Sequence, residues 1–128
     1  MSETRFHFRC RFGDANGIPT LVVAGELDAV TVPQFRQAVR FHLGADPEAP
    51  LILDLSGLSF LDTEGLRALL ATRNELLDRL ALTGVGSPVR RVFEVTGVAR
   101  LFTMAETPAD AVRLLTNRGP GLLPPPSA

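Results

Sequence analysis

The sequence predicts an α/β domain built on a mixed β-sheet of about four to five strands with about four helices. Three observations carry that prediction. Phe6, Phe8, Cys10 and Phe12 alternate with His7, Arg9 and Arg11, the period of two expected of a strand with one buried face. The turn-rich stretch GDANGIP (13–19) separates that run from TLVVAGEL (20–27), so the chain opens on an antiparallel hairpin. After the hairpin, helical and extended patterns alternate, the order of a layered α/β domain.

Each later element has its own signal. Thr31 or the residue before it can cap a helix with Pro33 in its first turn, and Val32, Phe35, Val39 and Leu43 recur at helical spacing. A breaker-rich loop, 45–50, leads to LILDL (51–55), a short apolar run that reads as a central strand covered on both sides. Ser56 and Gly57 read as a loop. A helix follows with Leu66, Leu69, Leu70, Leu77 and Leu80 on one stripe and Glu75–Arg79 as an outward i,i+4 ion pair. ALTGV (81–85) is a further strand. Pro88 opens a helix with Val89, Val92 and Phe93 inward and a stop near Gly97. Leu101–Met104 is a candidate last strand. Thr107-Pro108-Ala109-Asp110 starts a helix whose buried face is Ala111, Leu114 and Leu115. The segment 119–128, GPGLLPPPSA, reads as a disordered Pro/Gly-rich tail, which leaves 1–118 as the folded domain.

Composition narrows the function. The formal net charge is −1, so no electrostatic footprint for nucleic acid or anionic lipid is present. All thirteen basic side chains are Arg, which excludes a Walker-type phosphate loop and Schiff-base chemistry, both of which need Lys. A single cysteine, Cys10, cannot form an internal disulfide and is expected to be a small buried apolar residue in a reducing cytoplasm. MSETRFHF lacks an apolar core of signal-peptide length, and no apolar run approaches the ~18 residues that cross a bilayer, so a cytoplasmic domain without membrane insertion is expected. His7 and His42 lack ligand neighbours at metal-binding spacing and read as surface or half-buried residues. Gly57-Leu58-Ser59-Phe60-Leu61 misses the last glycine of a nucleophile elbow, and Gly84-Val85-Gly86 lacks a third glycine. No catalytic set, metal site or cofactor site is expected.

What remains is LSFLDTEGLRALL (58–70). Asp62 is placed to cap the Leu-striped helix, with Glu64 adding favourable charge to its first turn; together they satisfy free amides and the macrodipole. That leaves Thr63, a mediocre helix former at N1, and Gly65, which costs about 1 kcal/mol relative to Ala inside a helix. The pair suits an exposed hydroxyl open to another macromolecule, with the backbone closely approached. A phosphate there would be tolerated by the helix N-terminus while adding ~1.5–2 negative charges beside Asp62 and Glu64.

The segment LILDLSGLSFLDTEGLRALL resembles the signature of the anti-sigma factor antagonist family, the STAS domains, in which a strand and short loop lead through Asp-Ser/Thr-x-Gly-Leu into a helix. Gly25-Glu26-Leu27-Asp28 is similar to the family's Gly-Glu-Leu-Asp at the end of its second strand. Ser87 to Phe93 with Thr96-Gly97 is similar to its third helix and the following turn. The similarity runs from about Arg5 to Arg118. The resemblance implies the STAS fold, with helices packed mainly on one face of the sheet, and a regulatory switch rather than an enzyme. The implied partner is an anti-sigma factor with serine/threonine kinase activity and the histidine-kinase-like ATPase fold. That kinase phosphorylates the residue after the motif Asp, here Thr63, which releases the partner; a PPM-type phosphatase resets the switch. Gly25, Glu26, Asp28, Asp62, Glu64, Gly65 and Leu66 are the implied surroundings of the phosphosite and partner contact. The chain departs from the family pattern in having Thr as acceptor and a standing charge at Glu64. Competing readings are a STAS adaptor of a sensory or transport assembly, without phosphorylation, and a small nucleotide-binding or hydrolysing enzyme using Asp28 and Asp62.

Overall fold

The computed structural model describes residues 8–117; Phe6, His7 and the expected tail, 119–128, lie outside them. The elements follow in the order β1 (Phe8–Ala15), β2 (Ile18–Leu27), α1 (Val32–Ala45), β3 (Leu51–Leu61), α2 (Thr63–Leu76), β4 (Leu80–Thr83), α3 (Ser87–Thr96), β5 (Met104–Ala105) and α4 (Pro108–Asn117). The five-stranded sheet has the order β1-β2-β3-β4-β5, with β1 antiparallel to β2 and every later pairing parallel. This is the α/β class, mixed sheet and opening hairpin expected from the sequence.

The topology decides where the helices go. Right-handed crossovers that step the same way across a sheet lay their helices on the same face. Accordingly Phe35 and Val39 of α1, Leu66, Leu69 and Leu76 of α2, and Val89 and Phe93 of α3 share one core with Leu51, Leu53 and Leu55 of β3. The pleat turns Ile52 to the opposite face, where Ala81 joins it under Ala111 and Leu115 of α4. Three helices thus cover one face, and the fourth, α4, covers the other.

Several boundaries differ from the sequence reading, each for a physical reason. The stretch 13–19 is mostly strand: Ala15 pairs with Ile18, leaving a two-residue turn in which Asn16 and Gly17 take φ of +50° and +89°. Two positive φ values are the demand of the hairpin turn that Asn-Gly serves. On β1, Phe8 is buried but Cys10 is only half-buried, and Phe12 is exposed and packs on Phe41, ring centroids 5.8 Å apart. β3 is the largest difference. It continues through Ser56 and Gly57 to Leu61 because β2 pairs with it along its length, and it carries two extra residues relative to β2, one between the partners of Val22 and Ala24 and one between those of Gly25 and Glu26. These bulges space Leu55, Leu58 and Leu61 three apart while all are buried, a period that matches neither a regular strand nor a helix.

The Leu stripe of α2 is shorter than expected. The helix ends at Leu76; Leu77 has φ +55° and is exposed, and Leu80 belongs to β4. The Arg79 guanidinium donates to the backbone carbonyls of Pro47 and Glu75, not across an i,i+4 pair to the Glu75 carboxylate, because Arg79 lies in the 3₁₀ turn after the helix. His42 is buried rather than half-exposed, with Nε2 3.2 Å from the Ala49 carbonyl oxygen. The last strand is only Met104–Ala105, since a 3₁₀ turn occupies Ala99–Leu101. α4 begins as expected, the Asp110 N–H donating to Thr107 Oγ1 at 3.1 Å, but Leu114 stays exposed.

Burial pushes the Cys10 thiol up to about 11. At pH 8 the native thiol should therefore alkylate with iodoacetamide about a hundredfold more slowly than the unfolded chain's; equal rates in native buffer and in urea would contradict its burial.

Candidate functional site

The site forms where two parallel strands end side by side. Leu27, the last residue of β2, is in register with Leu61, the last of β3, so the segments that follow, Asp28–Thr31 and Asp62–Thr63, emerge at the same edge of the sheet. Glu26 lies opposite Phe60 one step earlier.

The β2–α1 connection is built by Asp28. Its Oδ1 accepts from the N–H groups of Val30 and Thr31 at 3.0 and 3.1 Å, and its carbonyl accepts from Val32 at 2.8 Å, the first turn of α1. The Thr31 hydroxyl accepts from the Asp28 N–H at 3.0 Å and donates to the Glu26 carbonyl at 2.8 Å, tying the helix start back onto the strand. Thr31 therefore stands at the N-cap position without capping its own helix by side chain. Asp28 follows the end of β2 beside the Asp62–Thr63 junction, and its Oδ1 is committed to the N–H groups of Val30 and Thr31.

The β3–α2 junction is built by Asp62 and Gly65. Asp62 has extended backbone, φ −102° and ψ −173°, and its Oδ1 accepts from the Gly65 N–H at 2.8 Å. Its own N–H donates to the Leu27 carbonyl at 3.3 Å. That same carbonyl explains the glycine: a Cβ on Gly65 would lie 2.3 Å from the Leu27 oxygen and 2.8 Å from Leu61 Cδ1. The close approach expected at Gly65 is real, yet the approaching group is the chain's own strand end, and Gly65 is buried. Leu66 is likewise a core residue, 8% exposed, so it supports the site from below and offers no contact surface. Gly25 is half-buried with φ +98°, and its carbonyl accepts from the Ser59 hydroxyl at 3.2 Å.

On this frame Thr63 and Glu64 are exposed in the first turn of α2. Glu64 is not a free charge: Arg67 Nη1 lies 3.3 Å from its Oε2. Two apolar side chains are exposed at the same end of the sheet, Val30 (83%) in the β2–α1 connection and Phe60 (47%) near the end of β3. Sequence reasoning missed Val30, Phe60, Ser59 and Arg67. The i,i+3 spacing of Glu64 and Arg67 was a usable signal; the exposure of Phe60 was not, because it depends on the second bulge. Among the described residues no three His, Cys, Asp or Glu side chains come together as a metal site, and no helix is long and apolar enough to cross a membrane.

Residues 14–111 match the model of the STAS domain. The chain belongs to the STAS domain family. It is 31% identical over 101 residues to the anti-sigma-F factor antagonist RsfB of Mycobacterium tuberculosis, covering 77% of this chain and 82% of that protein. The crystal structure of an anti-sigma factor antagonist from Mycobacterium paratuberculosis superimposes with a TM-score of 0.76 at 30% identity, covering 85% of this chain and 94% of that one. The Bacillus cell fate determinant SpoIIAA in its phosphorylated form shares the fold, with a TM-score of 0.60 at 22% identity over 84% of this chain and 98% of that one. In this STAS domain the motif Asp62-Thr63-Glu64-Gly65 divides its labour: Asp62 and Gly65 hold the helix start against β2, and Thr63 and Glu64 face outward.

Two substitutions test the junction by urea denaturation. Asp62→Ala should cost about 0.5–2 kcal/mol through the lost cap. Gly65→Ala should destabilise by about 1–3 kcal/mol, the strain of the Leu27 carbonyl outweighing the roughly 1 kcal/mol gain in helix propensity; a more stable alanine variant would show that the close approach is not a constraint.

Proposed function

We propose that the chain is an anti-sigma factor antagonist, a binding protein rather than an enzyme, whose partner is an anti-sigma factor with serine/threonine kinase activity. In its unmodified form it holds that partner and leaves the sigma factor free. Transfer of the γ-phosphoryl group of ATP to Thr63 Oγ1, with ADP leaving and the hydroxyl proton released, ends the complex. A phosphatase of the PPM type restores it.

The observation that carries this reading is the exposed Thr63 at the start of α2, on backbone held by the Asp62 cap and by the Leu27–Gly65 contact. Such a hydroxyl can be modified without disturbing the core, because the groups that fix the helix start are its neighbours and not Thr63 itself. The names of relatives such as RsfB and the existence of a phosphorylated form of SpoIIAA support the same reading. Asp62 and Glu64 flank the acceptor in sequence, Glu26 and Asp28 lie at the end of the neighbouring strand, and Val30 and Phe60 supply apolar area at the same sheet end. A phosphate adds ~1.5–2 negative charges to a surface already acidic. Like-charge juxtaposition in an interface costs several kcal/mol, enough to reverse tight binding.

The test has two arms. Phosphopeptide mapping of the protein from its native cells, before and after phosphatase treatment, should find phosphate on Thr63; a Thr63 that stays unmodified across growth and stress conditions favours an adaptor role. In binding assays with the cognate anti-sigma factor, Thr63→Ala should bind under all conditions and Thr63→Glu should lose at least tenfold in affinity, and equal affinities would rule out the switch.

A further inference from the structure

The first turn of α2 holds a second charge device that the motif alone does not describe. Thr63, Glu64 and Arg67 stand at positions i, i+1 and i+4 of one helix. Residues three and four apart are neighbours on a helix surface, and long side chains lean towards the helix N-terminus. Arg67 therefore reaches back over the turn that carries both Thr63 and Glu64, and its Nη1 is engaged with Glu64 Oε2 at 3.3 Å. Both side chains of that pair are largely solvent-exposed, 70% for Arg67 and 49% for Glu64, so the pair is free to rearrange.

We propose that Arg67 is the intramolecular counter-ion of a phosphate on Thr63, and that Glu64 competes with the phosphate for it. The inference rests on Thr63 being the phosphoacceptor and adds how the modified state is organised. Before modification Arg67 neutralises Glu64, so the standing charge beside the acceptor is masked. After modification the guanidinium faces two anions. A phosphate offers more charge and three acceptor oxygens in the geometry that a guanidinium fork matches, so it takes the larger share of Arg67. Glu64 is then unmasked at the moment the phosphate arrives, so the net charge added is that of the phosphate but it is spread over two positions of the turn instead of one. Gly65, whose N–H is already committed to Asp62, has no amide left for the phosphate. The N–H groups of Thr63 and Glu64, first in the helix, can also face an anion, and Arg67 is the side chain on this turn that brings a full positive charge to it.

The experiment uses full-length protein with phosphothreonine genetically encoded at position 63, in the parent, Arg67→Gln, Glu64→Gln and double-variant backgrounds. The second ionisation of the phosphate, near pH 6 for an unperturbed group, is followed by phosphorus NMR as pH is varied. Losing a nearby cation disfavours the dianion, so Arg67→Gln should raise that pKa by about half a unit. In the Glu64→Gln background, where the competitor is gone, the same substitution should raise it by about twice as much. A pKa that moves by less than about 0.1 unit on Arg67→Gln would overturn the counter-ion assignment. An equal rise in both backgrounds would overturn the competition. Because the phosphate is installed without a kinase, these outcomes are independent of the phosphopeptide mapping: an unmodified Thr63 in cells would sink the proposed switch and leave this titration readable.

Discussion

The Leu27 carbonyl joins the sheet to the helix that carries the site. It accepts the Asp62 N–H at 3.3 Å and sits so close to Gly65 that a methyl group could not enter between them. The end of β2, the end of β3 and the first turn of α2 are thereby held together through backbone atoms, whose positions depend little on rotamer choice. Asp62 completes the arrangement by capping the same turn with its side chain. A surface residue such as Thr63 gains a defined position from this without taking part in it. Position and modifiability are separated: the residues that would be costly to alter lie beneath the one that faces solvent.

The bulges of β3 are the second constraint. β4 pairs only with Leu51–Asp54, so the latter half of β3 is supported on one side by β2 and runs past its other neighbour. Two extra residues against β2 keep Leu58 and Leu61 in the core while Ser59 and Phe60 between them face outward. Without the bulges, strict alternation would turn Leu58 away from the face that Leu55 and Leu61 share. The irregular strand is thus what lets one segment finish the core and expose an apolar side chain at the sheet end that carries Thr63.

Charge at this end of the molecule is arranged in two tiers. Asp28 and Asp62 spend carboxylate oxygens on backbone N–H groups, each organising the start of a helix. Glu64 and Arg67 are turned to solvent and, among the described residues, paired with each other within their helix. The first tier maintains the fold, and the second is the tier a partner or a phosphate can rearrange. Val30 and Phe60 are exposed at the same end of the sheet, apolar area of the kind a protein contact buries.

Local chemistry was enough for much of this protein. The hairpin, the alternation of helices with strands, the Asp62 cap, the Thr107 cap and the stop near Gly97 follow from residue types at short range, because caps, turns and pleats are decided within a few residues. The family motif and its order along the chain were equally legible in the sequence. Other features required partners distant in sequence. β3 extends through Ser56 and Gly57 because β2 pairs with it, against what those residues favour in isolation. Gly65 is required by a carbonyl nearly forty positions earlier. α2 stops at Leu76 because Leu80 is needed in β4, and Leu66 is core because β3 lies under it. By itself the sequence determined which elements exist and that Thr63 heads a capped helix. Only the tertiary structure decided what approaches Gly65 and which side chains flank Thr63, since both depend on the register of β2 against β3, which long-range pairing and core burial set.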